Sequence, residues 1–207
     1  MLVDSASAMT QEEAGHAKSA FLFSNRKQWN DAILHANNSN NKVLQTLVEW
    51  QYVLDNDSGA NFSDIREFIA KHPDWPEQRK LRIRAEMSLA ENDISAEEVI
   101  GWFADKMPIT GVGKLVLAKA ISQNGKNLNQ MRIESIIREA WIGGDFNEAQ
   151  EKLLLDSYGN MLRKEDDIAR TDRLLWEGKT SAAERMFVRV DEQHQDLYKA
   201  RIALQTD

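Results

Sequence analysis

The stretch AWIGGDFNEAQEKLLLDSYGNMLRKEDDIARTDRLLWEGKTSAAERMFVRV, residues 140–190, contains three helix-sized blocks separated by turn signals. Gly143 and Gly144 are predicted to end one helix, because glycine adopts the left-handed conformation that closes a helix. Asp145 is then predicted to accept hydrogen bonds from the free amides of the next helix. Gly178 is predicted to end the helix that contains Trp176 in the same way. Apolar residues recur between these stops at near-helical spacing: Ile168, Leu174, Leu175, Ala182, Ala183, Met186, Phe187 and Val190.

The same helical pattern extends over the rest of the chain. Thr10 with Glu13, and Ser95 with Glu98, have the spacing of capping boxes that begin helices. Only three prolines and ten glycines interrupt 207 residues, which favours helices with short connections. We predict an all-α fold with about eleven or twelve helices and no strand. We expect one domain over residues 1–207, a TPR-like, right-handed α-solenoid of paired antiparallel helices.

Composition excludes several classes of function. The 26 basic and 33 acidic residues give a net charge of -7, which argues against a nucleic-acid partner because such binding depends on clustered basic residues. The chain has no cysteine, so it has neither disulfides nor thiolate chemistry. No apolar run approaches the ~20 residues that span a bilayer, and we predict no membrane insertion. No signal peptide is visible in the opening MLVDSASAMT.

Several motifs together resemble the N-terminal superhelical region of soluble lytic murein transglycosylases. They occur in that family's order between about Trp29 and Val190. The sequence departs from the family pattern at Asp167, where we expect histidine. The motifs are LVEWQY (47–52), DNDSG (55–59), HPDWP (72–76), LVLAKA (115–120), WIGGDF (141–146), YG (158–159), ED (165–166), ARTDRLLWEG (169–178) and AAERM (182–186).

This resemblance implies a non-catalytic scaffold that curves around murein and helps to position glycan strands and a catalytic domain. The family's lysozyme-like catalytic domain would follow such a region, and the sequence printed here ends at Asp207. We therefore expect this chain to be inactive alone and to derive from a periplasmic peptidoglycan lytic transglycosylase. A mature or trimmed N-terminus with an added methionine would explain the missing signal peptide. The expected partners are peptidoglycan glycan strands and the catalytic domain.

No residue in the sequence is assigned a catalytic, cofactor-binding or metal-binding role, and we expect no cofactor. In the family resembled, a catalytic Glu opens a Glu-Ser motif. Glu134 and Ser135 form the only such pair here, but they lie inside a predicted helix and no Gly-Leu-Met-Gln segment follows. The carboxylate pairs are interpreted as charges at helix N-termini, where negative charge is favourable: Glu97, Glu98, Asp166 and Asp167. The four histidines are dispersed: His16, His35, His72 and His194.

Two loops resemble ligand-binding motifs but lack essential residues. DNDSG at 55–59 suggests an EF-hand, but Ala60 replaces the required glycine and Arg66 replaces the bidentate glutamate. PITGVGK at 108–114 suggests a phosphate-binding loop, but Leu115 replaces the hydroxyl residue. We interpret the second loop as a helix start at Thr110. The basic residues near the start of the fifth helix are interpreted as a solvated surface: Arg79, Lys80, Arg82 and Arg84.

The six tryptophans are predicted to pack between helix layers rather than to bind ligand. Trp176→Ala should then cost roughly 3–5 kcal/mol, as for a large buried aromatic. A TPR-like adaptor that binds a protein or peptide is the alternative function. An intact glycosidase is disfavoured because the catalytic motifs are missing.

Overall fold

A computed structural model describes residues 9–124 and 130–206 of the chain. These residues form twelve α-helices and two short 3-10 helices and contain no strand, which confirms the all-α prediction. The α-helices are α1 (Gln11–Asn25), α2 (Trp29–Asn38), α3 (Lys42–Leu54), α4 (Phe62–Lys71), α5 (Gln78–Glu91), α6 (Ala96–Trp102), α7 (Gly111–Asn124), α8 (Gln130–Gly143), α9 (Glu148–Tyr158), α10 (Lys164–Trp176), α11 (Thr180–Arg185) and α12 (Glu192–Thr206). The 3-10 helices are Gly159–Met161 and Phe187–Arg189.

Helix starts follow the capping residues. The amide of Glu13 donates to Thr10 Oγ1 (3.1 Å) and the amide of Thr10 donates back to Glu13 Oε2 (2.7 Å), so the predicted capping box of α1 is confirmed. Ser95 caps α6 by accepting from the amide of Glu98, but the return bond that would complete the box is not formed. Each cap satisfies an amide that the first helical turn leaves free.

The end of α10 matches the prediction at Gly178. This glycine has φ +71°, and its amide donates to the carbonyl of Leu175. The amide of Lys179 donates to the carbonyl of Leu174 (2.8 Å). This pair of bonds is a Schellman motif, which requires the left-handed conformation that glycine adopts without strain.

The turn between α8 and α9 differs from the prediction. Positive φ is not found at either glycine of the pair that ends α8. Gly144 is required for a different reason: an added Cβ would collide with the carbonyl oxygen of Ala140 and would lie 2.6 Å from the ring of Phe146. The predicted cap is also wrong, because Asn147, not Asp145, accepts from the first-turn amides of α9.

The described chain divides into two compact units, Met1–Ala85 and Glu86–Asp207. In the first unit, α1 packs on α2 through alanines, which let two helix backbones approach closely. The core there consists of Ala20, Ala32, Ala36, Leu44 and Val48. In the second unit the main core surrounds Trp141, whose side chain is fully buried. It includes Phe146, Leu154, Leu174, Leu175, Ala183, Met186 and Tyr198.

Side-chain hydrogen bonds at a sequence separation of 26 to 30 residues recur within each unit, joining two helices in the second unit and a helix to the α3–α4 connection in the first. The partners advance together along the chain: Arg138 bonds Asp166, and Trp141 bonds Asp167. Helices α8 and α10 therefore run parallel, with α9 between them in sequence. The pairs are Trp29–Asp55, Asn56–Arg84, Arg138–Asp166, Trp141–Asp167, Ile168–Tyr198 and Asp172–Arg201.

The prediction that Trp176 is a buried packing residue is wrong, because its side chain is 84% exposed. The buried stripe of α10 runs through Asp167, Arg170, Leu174 and its neighbour Leu175. Trp176 lies about 100° further around the helix, off this stripe. Trp141 is fully buried, as predicted, and the remaining four tryptophans are half-buried.

Among the described residues, no helix combines the length and apolar composition needed to cross a bilayer.

Candidate functional site

The Glu-Ser pair lies in the middle of α8. Glu134 accepts from the Gln130 amide (3.4 Å), and Ser135 donates to Glu139 (3.2 Å). These are bonds between neighbouring turns of one helix surface. A general acid needs a carboxyl group in a closed cleft beside its substrate, whereas Ser135 is exposed and Glu134 is only half-buried on this helix surface.

The structure brings together two histidines that lie 19 residues apart. His16 on α1 and His35 on α2 have Nδ1 atoms 2.8 Å apart. His72 packs between the rings of Phe68 and Trp75. Over the described residues, no group of three or more His, Cys, Asp or Glu side chains is arranged to hold a metal ion.

The loop before α7 binds an internal carboxylate. Glu86 is fully buried and accepts hydrogen bonds from the amides of Ile109 (2.8 Å) and Thr110 (2.7 Å) and from the Thr110 hydroxyl (2.8 Å). Thr110 also accepts from the Gly113 amide, so the predicted helix start is confirmed. Free amides at a helix N-terminus attract anions. Here the protein supplies that anion itself, which leaves no room for a phosphate.

The polar groups of the acidic loop at 55–59 also have partners within the protein. Asp55 accepts from the ammonium of Lys27 (2.8 Å) and from the indole of Trp29 (3.0 Å). Burial raises the pKa of Asp55, but these donors outweigh burial and hold the pKa below its ordinary value. Arg84 donates to Asn56 and Ser58. Arg84 therefore holds this loop, whereas the prediction placed it on a solvated surface.

A buried ionic network occupies the interface of α8, α9 and α10. The guanidinium of Arg170 is fully buried and donates to the carbonyls of Trp141 (2.6 Å) and Gly144 (2.8 Å) and to Glu151 (2.7 Å). It also lies 4.4 Å from the centre of the Trp141 ring, a cation–π distance. Arg185 donates to the other oxygen of Glu151 (2.7 Å). Arg170 thereby satisfies carbonyls that the end of α8 leaves free.

The two aspartates at the start of α10 belong to the same interface. Asp166 forms a bidentate pair with Arg138 at 2.8 Å for both bonds, and Asp167 accepts from Trp141 Nε1 and Arg189 at 2.9 Å. Both lie in the first turn of α10, which agrees with their interpretation as negative charges at a helix N-terminus. Their tertiary partners show that they also join three helices. Asp167, at the position where histidine was expected, has a structural role.

The first unit has a groove formed by α2, α3 and α4, with a volume of about 510 Å³, here called the α2–α4 groove. Amide, hydroxyl and carboxylate side chains line it beside the phenol of Tyr52. Burial raises the pKa of Tyr52, so its hydroxyl remains a donor at neutral pH. The polar lining consists of Asn37, Lys42, Gln45, Thr46, Glu49, Asp64 and Glu67. Its three carboxylates exceed Lys42 in charge, although Glu67 is also paired with Lys71, so the groove has a small excess of negative charge.

The second unit has a more apolar groove of about 450 Å³, here called the α5–α9 groove. Most of its lining is apolar, and the polar lining includes Lys119, Gln123 and Gln150. Leu153 lines the groove and is 67% exposed. The apolar lining includes Leu89, Ile94, Val99, Val112, Leu115, Phe146 and Leu154.

Sequence reasoning missed the buried network and both grooves. Hydrophobic periodicity detects apolar stripes, whereas the buried face of α10 carries Asp166, Asp167, Arg170 and Thr171. The available signal was the helical spacing of acids and arginines in DDIARTDR, residues 166–173. The grooves depend on which helices pack together, and no local sequence motif predicts that packing.

Searches of known protein families, curated proteins and solved structures find no match to this chain.

Proposed function

We propose that this chain is a non-catalytic α-superhelical scaffold that binds murein glycan strands. The observation that carries the proposal is that α8 bonds to α10 and α10 bonds to α12, in each case between residues 26 to 30 positions apart. In an α-solenoid each helix packs parallel to the helix two positions later, so contacts repeat at the length of one helix pair. This pairing of alternate helices in the second unit supports an αα-repeat architecture like that of the family resembled.

The α2–α4 groove is the proposed glycan site. Its amides and carboxylates offer paired donors and acceptors that match the hydroxyl and acetamido groups of amino sugars. The ring of Tyr52 adds an apolar surface against which a sugar face can pack. The excess of carboxylates disfavours a polyanion. A neutral, hydroxyl-rich polymer therefore fits the groove.

The rest of the proposal follows from the family resemblance. The parent protein would be a periplasmic lytic transglycosylase, and the scaffold would position glycan strands for its catalytic domain. Glu134 and Ser135 lie within α8 and not in a catalytic motif. This supports a chain that binds murein without cleaving it.

Cosedimentation with purified murein sacculi tests the proposal. We expect the wild-type chain to sediment with sacculi and to release no soluble muropeptides. Gln45→Ala combined with Tyr52→Phe should lower the bound fraction severalfold. Gln130→Ala, on the exposed start of α8, is the matched control and should leave binding unchanged. A wild-type chain that stays in the supernatant would overturn the proposal.

The α5–α9 groove favours a second candidate, a TPR-like adaptor for a peptide with an apolar face. Apolar grooves between helices accept amphipathic segments. Affinity for apolar peptides without affinity for sacculi would support the adaptor. Leu153→Asp should then weaken peptide binding, whereas under the scaffold proposal the same change leaves sedimentation with sacculi intact.

A further inference from the structure

The polarity of the α5–α9 groove changes along its length. Helices α7 and α9 begin side by side, because a Cβ added at Gly111 would lie 2.7 Å from the Cα of Gly144 and 2.7 Å from the ring of Phe146. Both helices line the groove as far as their last turns, at Gln123 and Tyr158. They therefore run in the same direction, and the groove extends from their N-terminal ends to their C-terminal ends.

The N-terminal end of the groove is apolar. Val112 and Phe146 line it where the two helices begin, and Leu115 and Val116 follow on the next turn of α7. The last two are half-buried, so they present apolar surface to a ligand. Leu153, on the α9 wall, is 67% exposed. An apolar ligand would remove this surface from water, which is favourable.

The C-terminal end of the groove carries polar side chains. It is lined by Lys119 and Gln123 on α7 and by Ser157 and Tyr158 on α9. Within the part of the chain that the structure describes, the ammonium of Lys119 forms no ion pair and the hydroxyl of Tyr158 forms no hydrogen bond. Burial raises the pKa of Tyr158, so its hydroxyl remains a donor at neutral pH. This end therefore offers a positive charge and several donors to a ligand.

From this arrangement we infer that the α5–α9 groove binds a single-chain amphiphile with one negative charge, such as a fatty acid. The acyl chain lies against Leu115 and Val116. The carboxylate lies at the polar end, where Lys119 supplies the opposite charge and Tyr158 donates a hydrogen bond. The groove volume of about 450 Å³ is within the range of small-molecule sites, about 300–1,000 Å³.

The length of the groove fits a medium-length chain. From Val112 to Gln123 the axis of α7 advances about 17 Å. An extended chain of roughly twelve carbons is nearly as long, since each carbon–carbon bond of about 1.5 Å advances it by about 1.3 Å. The carboxylate of such a chain reaches the polar end when its methyl group lies at the apolar end.

The placement of the polar groups favours this ligand over a peptide. A helical peptide contacts a groove through an apolar face along its whole length, whereas the charged and hydroxyl donors of this groove are gathered at one end. Asp93, which follows α5, also lines the groove. Its charge disfavours a dianionic head group, because like charges repel. A ligand in this groove is independent of murein, which the α2–α4 groove is proposed to bind.

Calorimetric titration of the purified chain with laurate, kept below its critical micelle concentration, should show one saturable site. Lys119→Gln should raise Kd about tenfold, because it removes the opposite charge. Asp93→Asn should lower Kd, because it removes a like charge. Lys152→Gln is the matched control and should leave Kd unchanged, since this lysine pairs with Asp156 on the exposed face of α9, outside the groove.

The wild-type chain alone provides a second test, which does not depend on the folding of variants. Kd should fall about tenfold from octanoate to decanoate and again from decanoate to laurate, because each added methylene is buried. Dodecyltrimethylammonium has a similar chain and a positive head group, and it should bind at least about tenfold more weakly than laurate.

A wild-type chain without saturable laurate binding would overturn the inference, as would equal Kd values for wild type and Lys119→Gln. Equal or tighter binding of dodecyltrimethylammonium would also overturn it. A peptide whose binding is lost in Leu153→Asp, and which laurate does not displace, would overturn it in favour of the adaptor. Sedimentation with sacculi is measured separately, so the murein proposal and the amphiphile site can fail independently.

Discussion

Arg170 shows how one side chain decides the packing of several elements. Its charge is fully buried, and burial lowers its pKa from the ordinary value, although Glu151 acts in the opposite direction. An unpaired buried charge would be very costly, but this guanidinium bonds two carbonyls and a carboxylate. It stacks at the same time on the ring of Trp141. The residue therefore joins the end of α8 to α9 and α10.

Arg170→Met should lower the free energy of unfolding by about 3–5 kcal/mol, because it leaves the carbonyls of Trp141 and Gly144 and part of Glu151 unpaired. Arg201→Ala is the control, since its pair with Asp172 is at the surface. That change should cost less than about 1 kcal/mol. Chemical denaturation measures both. Similar losses in the two variants would contradict the structural role of Arg170.

Trp141 and Trp176 allow a second comparison, between the stability lost on removing a buried ring and an exposed ring. Trp141→Ala should cost about 3–5 kcal/mol, because it removes a fully buried ring and leaves Asp167 with one donor fewer. Trp176→Ala should cost less than about 0.5 kcal/mol, because the ring is exposed. Urea denaturation at neutral pH distinguishes them. A larger loss of stability for Trp176→Ala than for Trp141→Ala would show that Trp176 lies in a packed interface.

At the scale of elements, a buried carboxylate holds the connection between α6 and α7. Glu86 on α5 accepts from two amides and a hydroxyl in the loop, and Thr110 caps α7 from the same position. Gly113 lies against this carboxylate: an added Cβ would be 2.5 Å from Glu86 Oε2. The glycine is required because the carboxylate is held by its bonds and cannot move aside.

Gly113→Ala should therefore destabilise the protein, by about 1–3 kcal/mol for overpacking. Gly15→Ala, in the interior of α1, is the matched control because no atom lies within 4 Å of an added Cβ. It should stabilise the protein by about 0.5–1 kcal/mol through the helix preference of alanine. Thermal and chemical denaturation of the two variants should show opposite signs. Stabilisation by Gly113→Ala would mean that the carboxylate can leave its site.

At the scale of the whole molecule, ion pairs make stability depend on pH. Burial raises the pKa of Glu151 and of Asp166, but their arginine partners outweigh it and both pKa values lie below the ordinary range. A carboxylate with a lowered pKa binds fewer protons in the folded state than in the unfolded state. Its contribution is present above the unfolded pKa, about 4, and is lost as the pH falls through the folded pKa.

The free energy of unfolding should therefore fall as the pH is lowered from about 5 to 3. Asp166→Asn should be destabilising at pH 7, and its difference from wild type should shrink as the pH falls towards 3, because the unfolded wild-type chain then binds a proton at Asp166 more readily than the folded chain does. Asp156→Asn is the control, because its exposed pair with Lys152 is screened by solvent. Denaturant titrations from pH 3 to 7 measure this. A difference for Asp166→Asn that is constant with pH would contradict the argument.

Much of the fold was predictable because helix boundaries are local. The capping box at Thr10 and the left-handed Gly178 depend on residues within a single turn, and both predictions are confirmed. The predictions of a cap at Asp145 and of a left-handed Gly144 were wrong. An aspartate after a helix can form either a cap or an ion pair, and a glycine can be selected either by positive φ or by close packing. Asp145 pairs with Arg173 and Lys179 across the fold, and Gly144 is selected by the closeness of Phe146. The two grooves could not be predicted, since their shape depends on how separate helices pack together.

The sequence by itself determined that the chain is helical, where most helices begin and end, and that cysteine chemistry plays no part, because these properties depend on composition and on residues within a few positions of one another. The tertiary structure alone decided which polar residues are buried. It places Arg170 beside two carbonyls and Glu151, and Glu86 beside two amides. The physical reason is that a buried charge is stable only with partners, and those partners lie 19 to 29 residues away in the chain.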